Sequence, residues 1–252
     1  MQSEIAGCKT VLCRPPLLHW SFVVHLWTLT GLVFAVLALE AVFENEMDAA
    51  ARFLLLIILV DFTDGILARR LKVKERMPLI SGEIIDYIHD LVGMTFVPMF
   101  FFYKEDMFLP QFALPLVITA TCVATLKYSM KPNVLSLGYS IGAPPIFASL
   151  FLFYFLELGQ IVNTVYAILL ILWILLPIRF PITSLVTTHW QPGWQSITNY
   201  LVFLSAAPIL VYLHAAPRIL FWILLLNIIL QLTLFPLLLH AGVIKPGFRR
   251  KY

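Results

Sequence analysis

Several stretches of this chain are apolar on every face a helix could present. LFYFL at 152–156, YAILLILWILLPI at 166–178 and ILFWILLLNIIL at 219–230 show no polar residue at alternate positions. A lipid-facing barrel strand would alternate, whereas a helix crossing hydrocarbon needs about 20 apolar residues and keeps its backbone hydrogen bonds internal. The pattern therefore predicts an all-α, polytopic membrane helical bundle. Eight spans can be drawn, roughly 18–42, 49–68, 83–103, 110–128, 139–157, 163–180, 197–214 and 217–240. Connections are short and no repeat or Ser/Gly-rich linker separates the spans. This predicts one integral domain over 18–252, preceded by an amphipathic arm over 1–17 on the cytoplasmic side. Arg14 precedes the first span with no small-residue cleavage site after a short apolar core, which favours a retained helix over a removed signal segment. Pro144 and Pro145, with glycines just before them, predict a broken start to the fifth helix.

Composition agrees: 61% of residues are hydrophobic and 12% charged, with a mean hydropathy of +0.91. Charge adds an orientation. Of the 17 Lys and Arg residues, 14 fall on the face that holds the N-terminus, the 69–81 and 127–138 loops, Arg179 and the terminal KPGFRRKY, leaving Arg52, Lys104 and Arg218 opposite. By the positive-inside rule both termini are cytoplasmic. A six-span arrangement fits the bias about as well. The net charge of +3 is spread over span ends, where it meets anionic headgroups, and gives no reason to expect nucleic acid as a partner. Cys8, Cys13 and Cys122 have neither metal-site nor disulfide-framework spacing.

The acidic residues are distributed differently. Residues 61–90 hold 6 of the chain's 14 carboxylates, and only Glu157 follows Asp106. Asp61 and Asp64 are three apart, Asp86 and Asp90 four apart, so each pair shares a helix face. Two helices can thus turn four carboxylates toward each other at the membrane edge. Such like charges need protons, basic partners or cations between them. An oxygen-only donor set favours a hard ion such as Mg²⁺, Mn²⁺ or Ca²⁺, and two ions sharing a carboxylate can clamp a phosphoryl group undergoing displacement. Gly65 and Ala68 leave the neighbouring helix face nearly bare, and Arg69 at its end suits bidentate phosphate contact. Gly82, four residues before Asp86, extends the gap on the facing helix. Arg179, between Pro177 and Pro181, is a further phosphate candidate. His89 neighbours Asp90 but points about 100° away on an ideal helix, and is expected to be structural.

The arrangement Asp61-x-x-Asp64-Gly65-x-x-Ala68-Arg69, twelve residues, then Gly82-x-x-x-Asp86-x-x-x-Asp90 resembles the signature of the CDP-alcohol phosphotransferase family. The resemblance implies transfer of a phosphatidyl or related group from a CDP-linked donor to an alcohol, with release of CMP. It implies that Asp61, Asp64 and Asp86 ligate two divalent ions, Mn²⁺ or Mg²⁺, and that Asp90 is a further ligand and the general base. Asp61, Gly65, Ala68, Arg69 and Gly82 would contact the CMP portion. The twelve-residue gap, the basic 69–76 loop and the sequence after Asp86 are most similar to the bacterial branch that joins CDP-diacylglycerol to choline in one step. That branch implies a homodimer in a bacterial inner (cytoplasmic) membrane, in contact with membrane lipids.

The acceptor is less well specified. A quaternary ammonium is recognised by aromatic faces at about 0.5–2 kcal/mol per contact, and Trp27, Tyr87, Tyr128, Tyr139 and Trp194 are candidates on or near the same side. The stretch 129–150 departs from the polar, Trp-containing segment expected of the choline branch, which leaves serine, inositol and glycerol phosphate open as acceptors. A cation- or proton-coupled transporter would also use intramembrane acids. It would not explain Gly65, Ala68 and Arg69, and the acids gather at one interface and not at the midplane.

Overall fold

The computed structural model describes residues 21–77, 79–130, 139–181, 217–234, 236–237 and 241. The described residues are almost entirely helical. Helix α1 (Phe22–Phe43) turns into α2 (Met47–Arg70) through Asn45, whose left-handed backbone, φ 62°, ends the first helix. Ala35, Ala38 and Ala41 of α1 meet Ala50, Leu54 and Ile57 of α2 in the buried core. Small side chains let the two backbones approach closely, and in lipid that packing, not exclusion of water, holds helices together. α2 gives way at Arg70 to the four-residue α3 (Val73–Arg76), entered through Lys72 at φ 50°.

A span of 23 residues, Gly82–Lys104, follows and has three parts. Ser81 opens it, its hydroxyl accepting a hydrogen bond from the Ile84 amide. α4 (Gly82–His89) then passes into a π-helical segment, Asp90–Phe96, and continues as α5 (Val97–Lys104). Gly93 in the π segment lies so near α2 that a Cβ there would sit 2.8 Å from Ile57 Cγ2. The turn to α6 (Pro110–Ser129) is fastened by a later helix, Gln160–Leu175: Asn163 Nδ2 donates to the Met107 carbonyl at 2.9 Å and Gln160 Nε2 to that of Asp106 at 2.7 Å. These contacts satisfy carbonyls that a membrane-edge turn would otherwise leave unpaired.

The fifth expected span begins as foreseen, with an interruption. Strand β1 (Tyr139–Ile141) and an extended stretch through the two prolines precede a 3₁₀ turn (Phe147–Leu150) and the short α7 (Phe151–Leu156). β1 pairs antiparallel with β2 (Arg179–Pro181), Ile141 opposite Arg179, so the expected sixth span, 163–180, is a shorter helix, α8 (Gln160–Leu175), followed by a strand. Pro177 and Pro181 explain this, since neither can continue a helical ladder. Gly142, at φ 78°, closes the turn after β1, and a side chain there would strike the Ile174 carbonyl. Lys127 was expected to anchor lipid headgroups. It is instead buried, its ammonium donating to the carbonyls of Ile141 and Gly142.

α9 (Arg218–Leu232) packs on α7 and α8, with Phe155 and Phe221 rings 5.3 Å apart and Trp173 Nε1 donating to the Leu232 carbonyl at 2.5 Å. Among the described residues, α1, Gly82–Lys104 and α6 are long and apolar enough to cross a membrane, with shorter apolar helices besides. α2 also has 24 residues, enough for about 36 Å, but carries Asp61, Asp64 and the arginines at its end. The expected span 197–214, the arm 1–17, Cys8, Cys13 and Trp194 lie outside the described residues.

Candidate active site

The site is assembled from α1, α2, the Gly82–Lys104 span and α6. The α1–α2 pairing places Asp61 and Asp64 opposite the next helix, and the indole of Trp27 on α1 donates to Thr63 Oγ1 at 2.8 Å, beside Asp64. The four motif aspartates do converge. Asp61, Asp64 and Asp86 each offer a carboxylate oxygen within 4.8 Å of the others, and Asp61, His89 and Asp90 offer ligand atoms within the same limit. Asp61 is common to both groups. Tyr128 of α6 donates its hydroxyl to Asp90 Oδ2 at 3.1 Å, and its ring stacks on Tyr87 at 5.3 Å between centroids.

Electrostatics requires something more in this cluster. Two unit charges 4 Å apart repel by about 4 kcal/mol at an effective dielectric of 20. Asp64 is 5% exposed, and Asp64 Oδ2, Asp90 Oδ1 and both ring nitrogens of His89 have no hydrogen-bond partner among the described atoms. Buried polar atoms are otherwise almost always paired. Unpartnered Asp64 Oδ2 and Asp90 Oδ1, with His89 Nδ1 near the latter, fit a divalent cation, and the carboxylate-rich donor set suits Mg²⁺ or Mn²⁺.

Other motif positions behave less uniformly. Gly65 and Ala68 follow on the same helix, half-buried, and Ala68 leans on the small cluster of Val24, Val73 and Met77. At Gly82 the expected gap is taken up by His25 of α1: a Cβ there would lie 3.2 Å from the His25 ring. Arg69 occupies the last turn of α2 and Arg179 starts β2, but their side chains lie outside the described residues.

Two features escaped the sequence reasoning. His89, expected to be structural, has its ring fully buried with Nδ1 3.5 Å from Asp90 Oδ1. Gly31 of α1 makes room for that ring, since a Cβ at position 31 would overlap His89 Nε2. The signal was available: His25 and His89 are polar residues within apolar spans, and Gly31 interrupts the first one. Gly31→Ala is expected to destabilise the protein by about 1–3 kcal/mol through overpacking. A thermal melt in detergent would show a lowered midpoint; an unchanged midpoint would mean that the His89 ring does not rest there.

The helical membrane bundle gathers four aspartates from two adjacent helices, in groups that could hold a metal ion, with a small-residue face beside them. The chain belongs to the CDP-alcohol phosphatidyltransferase family, whose characteristic sequence it matches over residues 22–231. It is 34% identical over 142 residues to the phosphatidylcholine synthase of Pseudomonas aeruginosa, covering 56% of this chain and 59% of that one. With the phosphatidylcholine synthase of Borreliella burgdorferi it shares 26% identity over 162 residues, 64% of this chain and 69% of the other. A shorter match of 85 residues to the Mesorhizobium japonicum phosphatidylcholine synthase reaches 41%, over 34% and 32% of the two chains. The protein is thus an integral membrane transferase of phospholipid biosynthesis.

Proposed function

We propose that the protein transfers the phosphatidyl group of CDP-diacylglycerol to choline, giving phosphatidylcholine and CMP. The observation that carries the chemistry is the sharing of Asp61 between two ligand groups, one completed by Asp64 and Asp86 and the other including Asp90. Relatives named phosphatidylcholine synthase support the acceptor. So does the stacked Tyr87–Tyr128 pair beside Asp90, which offers aromatic faces to a quaternary ammonium.

Asp61, Asp64, Asp86 and Asp90 would hold two divalent cations, Mn²⁺ or Mg²⁺. When bound, the cations supply charge neutralisation at the phosphoryl oxygens. Asp90 takes the hydroxyl proton of the acceptor on Oδ2, the oxygen that Tyr128 orients, while the alcohol oxygen bonds to the lipid-bearing phosphorus. The phosphorus–oxygen bond to CMP breaks, and its electron pair leaves with CMP. Gly65 and Ala68 admit the nucleotide close to α2, with Arg69, Gly82 and Arg179 as further substrate contacts. The site's position near span ends lets the acyl chains stay in the bilayer while the nucleotide reaches water.

The same reading places eight spans and both termini on the cytoplasmic side of a bacterial inner membrane, the arm 1–17 ahead of the integral domain, and two copies in a homodimer. The test is CMP release by purified protein in detergent with CDP-diacylglycerol and Mn²⁺, offering choline, serine, inositol and glycerol phosphate separately. Choline alone should stimulate release. Stimulation by another alcohol would overturn the acceptor and keep the transfer; silence with all four would count against the transfer itself.

A further inference from the structure

His89 is the buried group near the acids that the transfer chemistry above leaves without a task. Its ring is 0% exposed and neither nitrogen has a hydrogen-bond partner among the described atoms. Nε2 is directed at the bare Cα of Gly31, which leaves Nδ1 as the nitrogen facing the carboxylates. Nδ1 lies 3.5 Å from Asp90 Oδ1, itself without a hydrogen-bond partner, and Asp61 completes a triad whose ligand atoms lie within 4.8 Å of one another. Two adjacent ligands on one octahedral ion with bonds of 2.0–2.1 Å stand about 3 Å apart, and the 3.5 Å between His89 Nδ1 and Asp90 Oδ1 is within a small shift of that. Adjacent positions on a helix diverge by about 100°, yet His89 and Asp90 both bring a ligand atom within 4.8 Å of Asp61 on α2.

We propose that His89 Nδ1 is a direct ligand of one divalent cation, together with Asp61 and Asp90, so that the centre has one mixed nitrogen–oxygen position and one all-oxygen position at Asp61, Asp64 and Asp86. This rests on the reading that the aspartates hold metal. An imidazole donor favours later transition ions over Mg²⁺, whereas carboxylates alone suit Mg²⁺ and Mn²⁺ alike. The two positions therefore differ in selectivity: the mixed one takes Mn²⁺ in preference to Mg²⁺, and the all-oxygen one discriminates weakly. Gly31 is part of the device, because a larger residue there would drive the ring from its place.

The experiment is pulsed electron paramagnetic resonance on the purified protein loaded with Mn²⁺, with histidine supplied as either ¹⁴N or ¹⁵N. A directly bonded histidine nitrogen gives a hyperfine coupling that changes with the isotope, and the unsubstituted protein suffices to see it. His89→Leu should remove that coupling and weaken Mn²⁺ binding at one position roughly 10- to 100-fold, the range met when a metal ligand loses even its supporting partner. Substituting the other buried histidine of the region, His25→Gln, should leave the coupling in place. Mn²⁺ bound with no histidine coupling in the unsubstituted protein would overturn ligation by His89 and keep the aspartate site. Failure of the protein to bind Mn²⁺ would overturn both.

Discussion

Asp61→Asn is expected to abolish CMP release, by about 10³-fold or more, and to remove Mn²⁺ binding at both positions of the centre. Asp61 belongs to both ligand groups, so one substitution takes a negative donor from each. Losing a single preorganised electrostatic contact in an active site costs about 10²–10³ in rate, and here two are lost together. Asp64→Asn touches only the group with Asp86 and should spare the position beside His89. Asparagine nearly matches aspartate in shape, and it relieves repulsion among the acids, so Asp61→Asn should fold at least as well as the parent. The measurement is CMP release alongside Mn²⁺ titration followed by electron paramagnetic resonance, with elution volume in detergent as the check on folding. A well-folded Asp61→Asn protein that still binds two ions would refute the shared-ligand arrangement.

Asp90→Asn is expected to lower the turnover rate by about 10²–10⁴-fold, the contribution of a positioned general base. The affinity for CDP-diacylglycerol should fall less than the turnover rate, because Asp61, Asp64 and Asp86 keep their own position while Asp90 serves the acceptor hydroxyl and the other position only. The amide oxygen can still accept the Tyr128 hydrogen bond seen at 3.1 Å, so α6 should stay docked against the Gly82–Lys104 span. Initial rates at varied CDP-diacylglycerol and choline separate the two effects. A variant that lost donor affinity while turning over normally would move Asp90 from proton acceptor to donor binding.

The convergence of Asp61, Asp64, Asp86 and Asp90 was legible because a three- or four-residue spacing fixes a helix face whatever the helix packs against. The break before the fifth helix was legible too, from Pro144 and Pro145. What stayed hidden depends on contacts between distant parts of the chain. His89 looked peripheral on its own helix, and only the approach of Gly31, 58 positions earlier, gives its ring a place. Lys127 looked like one more basic residue at a span end, since nothing local reveals that the carbonyls of Ile141 and Gly142 will fold back over it. Likewise Gly82 looked open until α1 brought His25 against it.

The π-helical segment Asp90–Phe96 has a bearing on how the 23-residue span is put together. A π turn holds one residue more than an α turn, so it shifts the angular phase of everything beyond it by about 100°. Before the shift, α4 presents Asp86 and His89 to α1 and α2; after it, α5 lies against α1, α6 and the 3₁₀ turn, with Phe101 and Phe102 both fully buried. Without the extra residue, a single phase would have to serve both ends. The site and the packing would then compete for one helix face, and the added residue frees each to vary without misaiming the other.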